Sequence, residues 1–111
     1  PGAAVFPMGS NTEASDELLT SVDKIVVDHI GQTMHRGALR DVVESGRITE
    51  RDISATIGEI VAGKKKGFDT PQQRIVCVPI GTGAMDIASA YVVYQRAKEK
   101  GIGTKFSFVN R

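Results

Sequence analysis

Three observations predict an α/β fold built on a largely parallel sheet. Short apolar runs without helical spacing recur along the chain, at residues 3–6, 24–28 and 74–80. Amphipathic stretches with their own start and stop residues lie between and after them. Crossovers between parallel strands need connections of this length, whereas hairpins do not.

The elements follow in order. Ala3-Ala4-Val5-Phe6 and Lys24-Ile25-Val26-Val27-Asp28 are rich in β-branched or compact residues and read as buried strands. Between them, Ser15 stands ahead of Asp16-Glu17-Leu18-Leu19, a hydroxyl in N-cap position with two acids in the first turn to complement the helix dipole. From Gln32 to Glu44, Met34, Leu39, Val42 and Val43 fall on a loose helical spacing that Ser45-Gly46 stops, so one helix is expected there.

Thr49-Glu50-Arg51-Asp52 has capping-box spacing, and Ile53, Ile57, Ile60 and Val61 follow at i, i+4, i+7 and i+8. A second helix is expected here, ended by Gly63. The lysines at 64–66 then complement its dipole more readily than they grip a phosphate. Arg74 to Ile80 has the length and β-branching of a buried strand, with Pro79 marking its end.

A long helix is expected from Asp86 through Ile87, Tyr91, Tyr94 and Ala97 to Lys100, with Gly101 after it. Thr104-Lys105-Phe106-Ser107-Phe108-Val109 alternates aromatic and polar residues, as an edge strand would.

Composition narrows the function classes. A length of 111 residues suits one domain. Hydrophobic residues at 41% and charged residues at 24% are ordinary for a folded soluble domain, which argues against disordered and fibrous classes. Fourteen basic against thirteen acidic residues leave a net charge of +1, no footprint for nucleic acid or an acidic membrane. No apolar stretch approaches the roughly 20 residues that cross a bilayer, and no charged segment precedes an apolar one at the start, so a cytoplasmic protein is expected. The single cysteine, Cys77, sits inside Ile75-Val76-Cys77-Val78 and reads as a small buried hydrophobe. The chain opens Pro1-Gly2 without an initiator methionine, which suggests a processed or partial polypeptide.

Several places could carry chemistry. Ile80-Gly81-Thr82-Gly83-Ala84-Met85-Asp86 sets two glycines between a strand and a helix, as phosphate-binding turns do. Asp86 replaces the third fingerprint glycine, and an acid there would repel a phosphate, so this reads as a tight strand-to-helix turn. Phe6-Pro7-Met8-Gly9-Ser10-Asn11 ends the first strand with small or polar residues at the carboxyl edge, where open α/β sheets bind ligands. His29 and His35 are candidate acid-base groups by residue type, but no acid or cysteine is spaced from them as in a catalytic triad, and structural or solvated roles are favoured. Neither HExxH nor paired CxxC occurs, and no metal is expected.

Ser54-Ala55-Thr56-Ile57-Gly58-Glu59-Ile60-Val61-Ala62-Gly63-Lys64-Lys65 resembles the GE-x-x-AG helix of the ornithine cyclodeaminase/mu-crystallin family, most nearly its archaeal-type alanine dehydrogenases. Val26-Val27-Asp28, Gln32-Thr33-Met34-His35-Arg36-Gly37, the run from Gly81 to Asp86 into Ala90-Tyr91-Val92-Val93-Tyr94, and Lys98-Glu99-Lys100-Gly101-Ile102-Gly103 extend the resemblance over nearly the whole chain.

The resemblance implies a homodimeric NAD(P)-dependent enzyme, of which this chain matches about the last third. Residues 1–82 would form the second half of a Rossmann-type parallel sheet with flanking helices. Residues 83–111 would return a helix and a strand to the substrate and dimerisation domain, where Phe106 and Phe108 would pack. Backbone at Met8, Gly9, Ser10 and Asn11 would hold the nicotinamide end of NAD or NADP, and Ile80 would lie beside the substrate.

In the cyclodeaminases the last residue of that turn is an aspartate. Here Asn11 stands in the catalytic position, and an amide cannot serve as a base. The loop from Gly9 to Glu17 is also shorter than the cyclodeaminase pattern. The implied reaction is therefore that of an amino-acid dehydrogenase or imine reductase acting on a small amino-acid, keto-acid or imine substrate. Ornithine cyclodeamination with bound NAD and non-catalytic, mu-crystallin-like ligand binding are the alternatives, and a stand-alone module pairing through its exposed strands is a third. The 111-residue chain alone is expected to be inactive, because the pyrophosphate loop and the substrate-anchoring residues would precede residue 1.

Overall fold

The computed structural model describes residues 1–9, 11 and 13–109. Its centre is a four-stranded sheet, β1 (Ala4–Val5), β2 (Lys24–Val27), β3 (Ile53–Thr56) and β4 (Ile75–Val78), in the order β1-β4-β2-β3. Every neighbouring pair is parallel. The expected strand at 3–6 is thus shorter than its apolar run, and Phe6 lies outside it, 57% exposed.

Strand periodicity divides the apolar residues between the two sheet faces. Ile25 pairs in register with Val76 and Val27 with Val78, and all four belong to one buried cluster with Leu19, Leu39, Val42, Ile48 and Ile53. Val26 and its register partner Cys77 point the other way and are buried as well. A β-branched run with no polar alternation is what a strand covered on both faces requires. The β2–β3 register shifts between Ile25 and Val26, and there the Ile25 amide donates to the Ser54 hydroxyl at 3.3 Å.

Helix α1 (Asp16–Ser21) begins as expected, with Ser15 Oγ accepting from the Leu18 amide at 3.3 Å. The single helix expected over 32–44 is instead two short ones, α2 (Ile30–Thr33) and α3 (Arg40–Glu44). Gly37 explains the break. Its φ of +79° is left-handed, and a Cβ there would stand 2.6 Å from Ile80 Cγ2. The chain turns at Gly37 so that the backbone can pass close to Ile80.

The helix expected from Thr49 to Gly63 is also corrected. The Thr49/Asp52 capping box exists but caps a 3-10 turn, Glu50–Asp52, which runs straight into β3. A second capping box, Thr56 with Glu59, then opens α4 (Ile57–Val61). The i, i+4, i+7, i+8 pattern therefore straddles a strand and a helix, with Ile53 buried and Val61 83% exposed. Gly63, at φ +69°, does follow the helix, and the Lys64 amide closes it on the Glu59 carbonyl at 2.8 Å.

The chain divides into two compact units, Pro1–Gly81 and Thr82–Arg111. The second is carried by α5 (Gly83–Glu99), which starts three residues before the expected Asp86 and is followed by Gly101 at φ +64°. Residues 104–109 form no strand, although one is expected from their alternation. The Phe106 and Phe108 rings there lie with centroids 4.4 Å apart, tilted by 52° to each other.

Candidate functional site at the carboxyl edge of the sheet

Parallel strands all end on one side, so the residues following β1, β2, β3 and β4 share one edge. Beyond β1 come Phe6, Pro7, Met8 and Gly9, and beyond β4 come Pro79, Ile80 and Gly81. Because β1 and β4 are paired neighbours, the predicted turn at Met8-Gly9 and the predicted substrate-adjacent Ile80 leave adjacent strands at the same edge. Met8 is 67% exposed there, and Asn11 is exposed as well. Ser10 lies outside the described residues.

Backbone donors in this region are held by carboxylates. The Gly9 amide donates to Glu13 Oε2 at 2.7 Å, and a Cβ on Gly9 would run into that carboxylate. The Gly81 amide donates to Asp28 Oδ2 at 2.6 Å, while Asp28 Oδ1 accepts from the His29 amide at 2.8 Å. Asp28 directly follows β2, so its carboxylate joins the exits of two paired strands. Gly81 itself has φ +84°, a left-handed conformation that glycine adopts without a Cβ penalty. Residues 79–82 belong to no regular element, and α5 starts at Gly83.

The other candidates have structural roles. His29 caps α2, its Nδ1 accepting from the Gln32 amide at 3.3 Å. His35 is exposed. Thr33, fully buried, donates through Oγ1 to the His29 carbonyl at 2.9 Å. Lys65 pairs with Glu59 at 3.2 Å at the end of α4. Desolvation pushes the buried Cys77 thiol up from its ordinary value, with the Asp28 charge adding to the effect, and a thiol so placed is a poor nucleophile. Among the described residues, no group of three or more His, Cys, Asp or Glu could hold a metal ion. No helix there is long and apolar enough to cross a membrane.

Sequence reasoning placed the Met8-Gly9 turn at this edge and the family resemblance implied Ile80 beside the substrate, but neither gave a role to Glu13, Asp28 or Gly37, which contact these residues or their neighbours. Asp28 carried one signal: a carboxylate immediately after an apolar strand run stands where strand exits need an acceptor.

A profile of the ornithine cyclodeaminase/mu-crystallin family matches residues 1–101. The chain belongs to this family. Among family members, an alanine dehydrogenase of Archaeoglobus fulgidus is 34% identical over 110 residues, which cover 96% of this chain and 34% of that protein. A solved archaeal alanine dehydrogenase dimer with bound NAD superposes with a TM-score of 0.83 at 34% identity, over 96% of this chain and 34% of that one. The Thermococcus litoralis Δ1-pyrroline-2-carboxylate reductase, solved with NADH and L-proline, also gives 0.83, at 27% identity over 93% of this chain and 33% of its own. The chain thus spans about a third of the length of the curated relatives it matches.

Proposed function

We propose that this chain is the carboxy-terminal part of an NAD(P)-dependent amino-acid dehydrogenase or imine reductase of the ornithine cyclodeaminase/mu-crystallin family. One observation carries the reading. The turn at Met8-Gly9 and the exit at Ile80 sit side by side at the carboxyl edge of a parallel sheet, in a fold close to relatives solved with NAD and with NADH plus L-proline.

The residues present fit a nicotinamide cofactor. The Gly9 amide already receives a carboxylate oxygen, so an acceptor of that size is accommodated there, and the exposed Glu13 side chain can rotate aside for a carboxamide. Bound there, a nicotinamide would supply the hydride chemistry, giving a hydride to the substrate's α-carbon or taking one from it. Met8, Gly9, Ser10 and Asn11 orient the nicotinamide end, and the apolar Ile80 borders the substrate and excludes water. Asn11 can donate and accept hydrogen bonds but cannot take a proton, which favours a net oxidation or reduction over deaminating cyclisation.

On the same reading residues 1–82 are the second half of the NAD(P)-binding domain, and residues 83–111 return to a substrate and dimerisation domain. The exposed Met85, Ile87, Tyr91, Tyr94, Phe106 and Phe108 are consistent with burial against the rest of a longer, homodimeric, cytoplasmic protein.

The test is turnover by the full-length protein. Nicotinamide absorbance should change when small amino, keto or imino acids are added. Ammonia release from ornithine without net cofactor turnover would favour a cyclodeaminase. Cofactor binding without turnover across a broad panel would favour a mu-crystallin-like binder.

A further inference from the structure

Carboxylates bracket β4 at both ends, and both come from residues that flank β2. At the amino end, Asp23 Oδ2 accepts from the Arg74 amide at 2.6 Å. At the carboxyl end, Asp28 Oδ2 accepts from the Gly81 amide, also at 2.6 Å. The two bonds are alike in chemistry and length but sit at opposite edges of the sheet, and ligands bind such sheets at the carboxyl edge.

Asp28 does more than close a ladder. Its second oxygen accepts from the His29 amide at 2.8 Å, so both oxygens are engaged by backbone donors. Gly81, in its left-handed conformation, leaves the direction of the exit to whatever holds its amide. Ile80, the residue before it, lies so near Gly37 that a Cβ built there would stand 2.6 Å from its Cγ2. The exit of β4 is therefore gripped at two points, by a charge-assisted hydrogen bond and by a close backbone approach.

We infer that Asp28 is a positioning residue for the reaction: by holding the Gly81 amide it sets Ile80 at the carboxyl edge, where a small amino- or imino-acid substrate meets the nicotinamide. The inference rests on the reading under Proposed function. Asp28 touches neither substrate nor cofactor and acts through the β4 exit. Asparagine cannot replace it, because one amide oxygen cannot serve two N–H donors that lie on separate oxygens.

The test compares D28N, D28E and D23N in the full-length protein, with substrate kinetics, cofactor affinity and the urea unfolding midpoint measured for each. D23N takes the charge off the matching bond at the far edge and controls for the simple loss of a carboxylate beside the sheet. D28N should lower kcat/KM for the substrate roughly tenfold or more, the scale of one lost charge-assisted hydrogen bond, while cofactor affinity stays within about twofold. D23N should weaken folding and leave the kinetics of the folded enzyme at the wild-type level. D28E keeps both oxygens one methylene out of place, so its kcat/KM should fall between wild type and D28N. It also carries the test if D28N folds poorly. Wild-type kinetics in D28E and D28N, or equal kinetic losses in D28N and D23N, would overturn the positioning role alone. A wild-type protein with no nicotinamide turnover would remove the functional reading, and the inference with it.

Discussion

Substituting Gly37 by alanine tests the close approach that breaks the helical stretch after β2. Two costs add. The residue is left-handed at φ +79°, and an L side chain there costs roughly 1–2 kcal/mol. The new Cβ would also stand 2.6 Å from Ile80 Cγ2 in a buried setting, and relief of such overpacking costs about 1–3 kcal/mol. The expected loss is therefore about 2–5 kcal/mol, the sum of those two ranges. Gly46 provides the control, since it shares a left-handed φ of +74° but has nothing within 4 Å of a built Cβ. Gly46→Ala should lose about 1–2 kcal/mol, the backbone share alone. Urea unfolding measures both variants, and a double-mutant cycle with Ile80→Ala, which deletes Cγ2, should return most of the excess. Equal losses in Gly37→Ala and Gly46→Ala, or an excess that survives Ile80→Ala, would refute the account of the Gly37 turn.

Further outcomes follow from other parts of the molecule. Leu39→Ala should destabilise the protein by about 2–5 kcal/mol in denaturant unfolding, because Leu39 is fully buried in the main cluster. The Thr56 amide, with Lys65 beside it, holds the Glu59 carboxyl below its ordinary range. A carboxyl with a lowered folded pKa contributes stability that is fully present above its unfolded value, about 4.3, and is lost as the pH falls through the folded one. The stability difference between wild type and Glu59→Gln should therefore shrink on acidification below that value, and a gap that stayed constant or widened would contradict the capping geometry. Glu13→Ala frees the Gly9 amide of its carboxylate and should tighten cofactor binding by the full-length enzyme roughly two- to tenfold, the range of one net hydrogen bond, as read by titration.

The parts of this fold that sequence could reveal are those whose cause is local. The β2 and β4 runs are β-branched and uninterrupted because both faces of those strands are buried, and the pattern is visible in a few consecutive residues. Ser15 and Gly63 mark helix ends by chemistry that acts within one turn. β3 was hidden because Ile53-Ser54-Ala55-Thr56 holds one large apolar residue, and its capping neighbours on either side gave the stretch the look of a single helix. The break at Gly37 has its cause at Ile80, far along the chain, and no local rule reaches it. The same holds at the candidate site. The small residues after β1 are legible as an edge turn, whereas the grip of Asp28 on Gly81 spans positions that meet only once the sheet has formed.

The strand order also sets the sequence of events during synthesis. Of these four strands β1 is made first, yet its register partner is β4, with Ala4 opposite Ile75, so that pairing must wait until β4 is made. The β2–β3 pairing joins nearer segments and closes a shorter loop, which favours its earlier formation. Docking of β1 is then a late event, and the Met8-Gly9 turn travels with it. The β2–β3 pairing would thus precede the β1–β4 pairing, and a ligand bound at that edge would act as a latch on the latter.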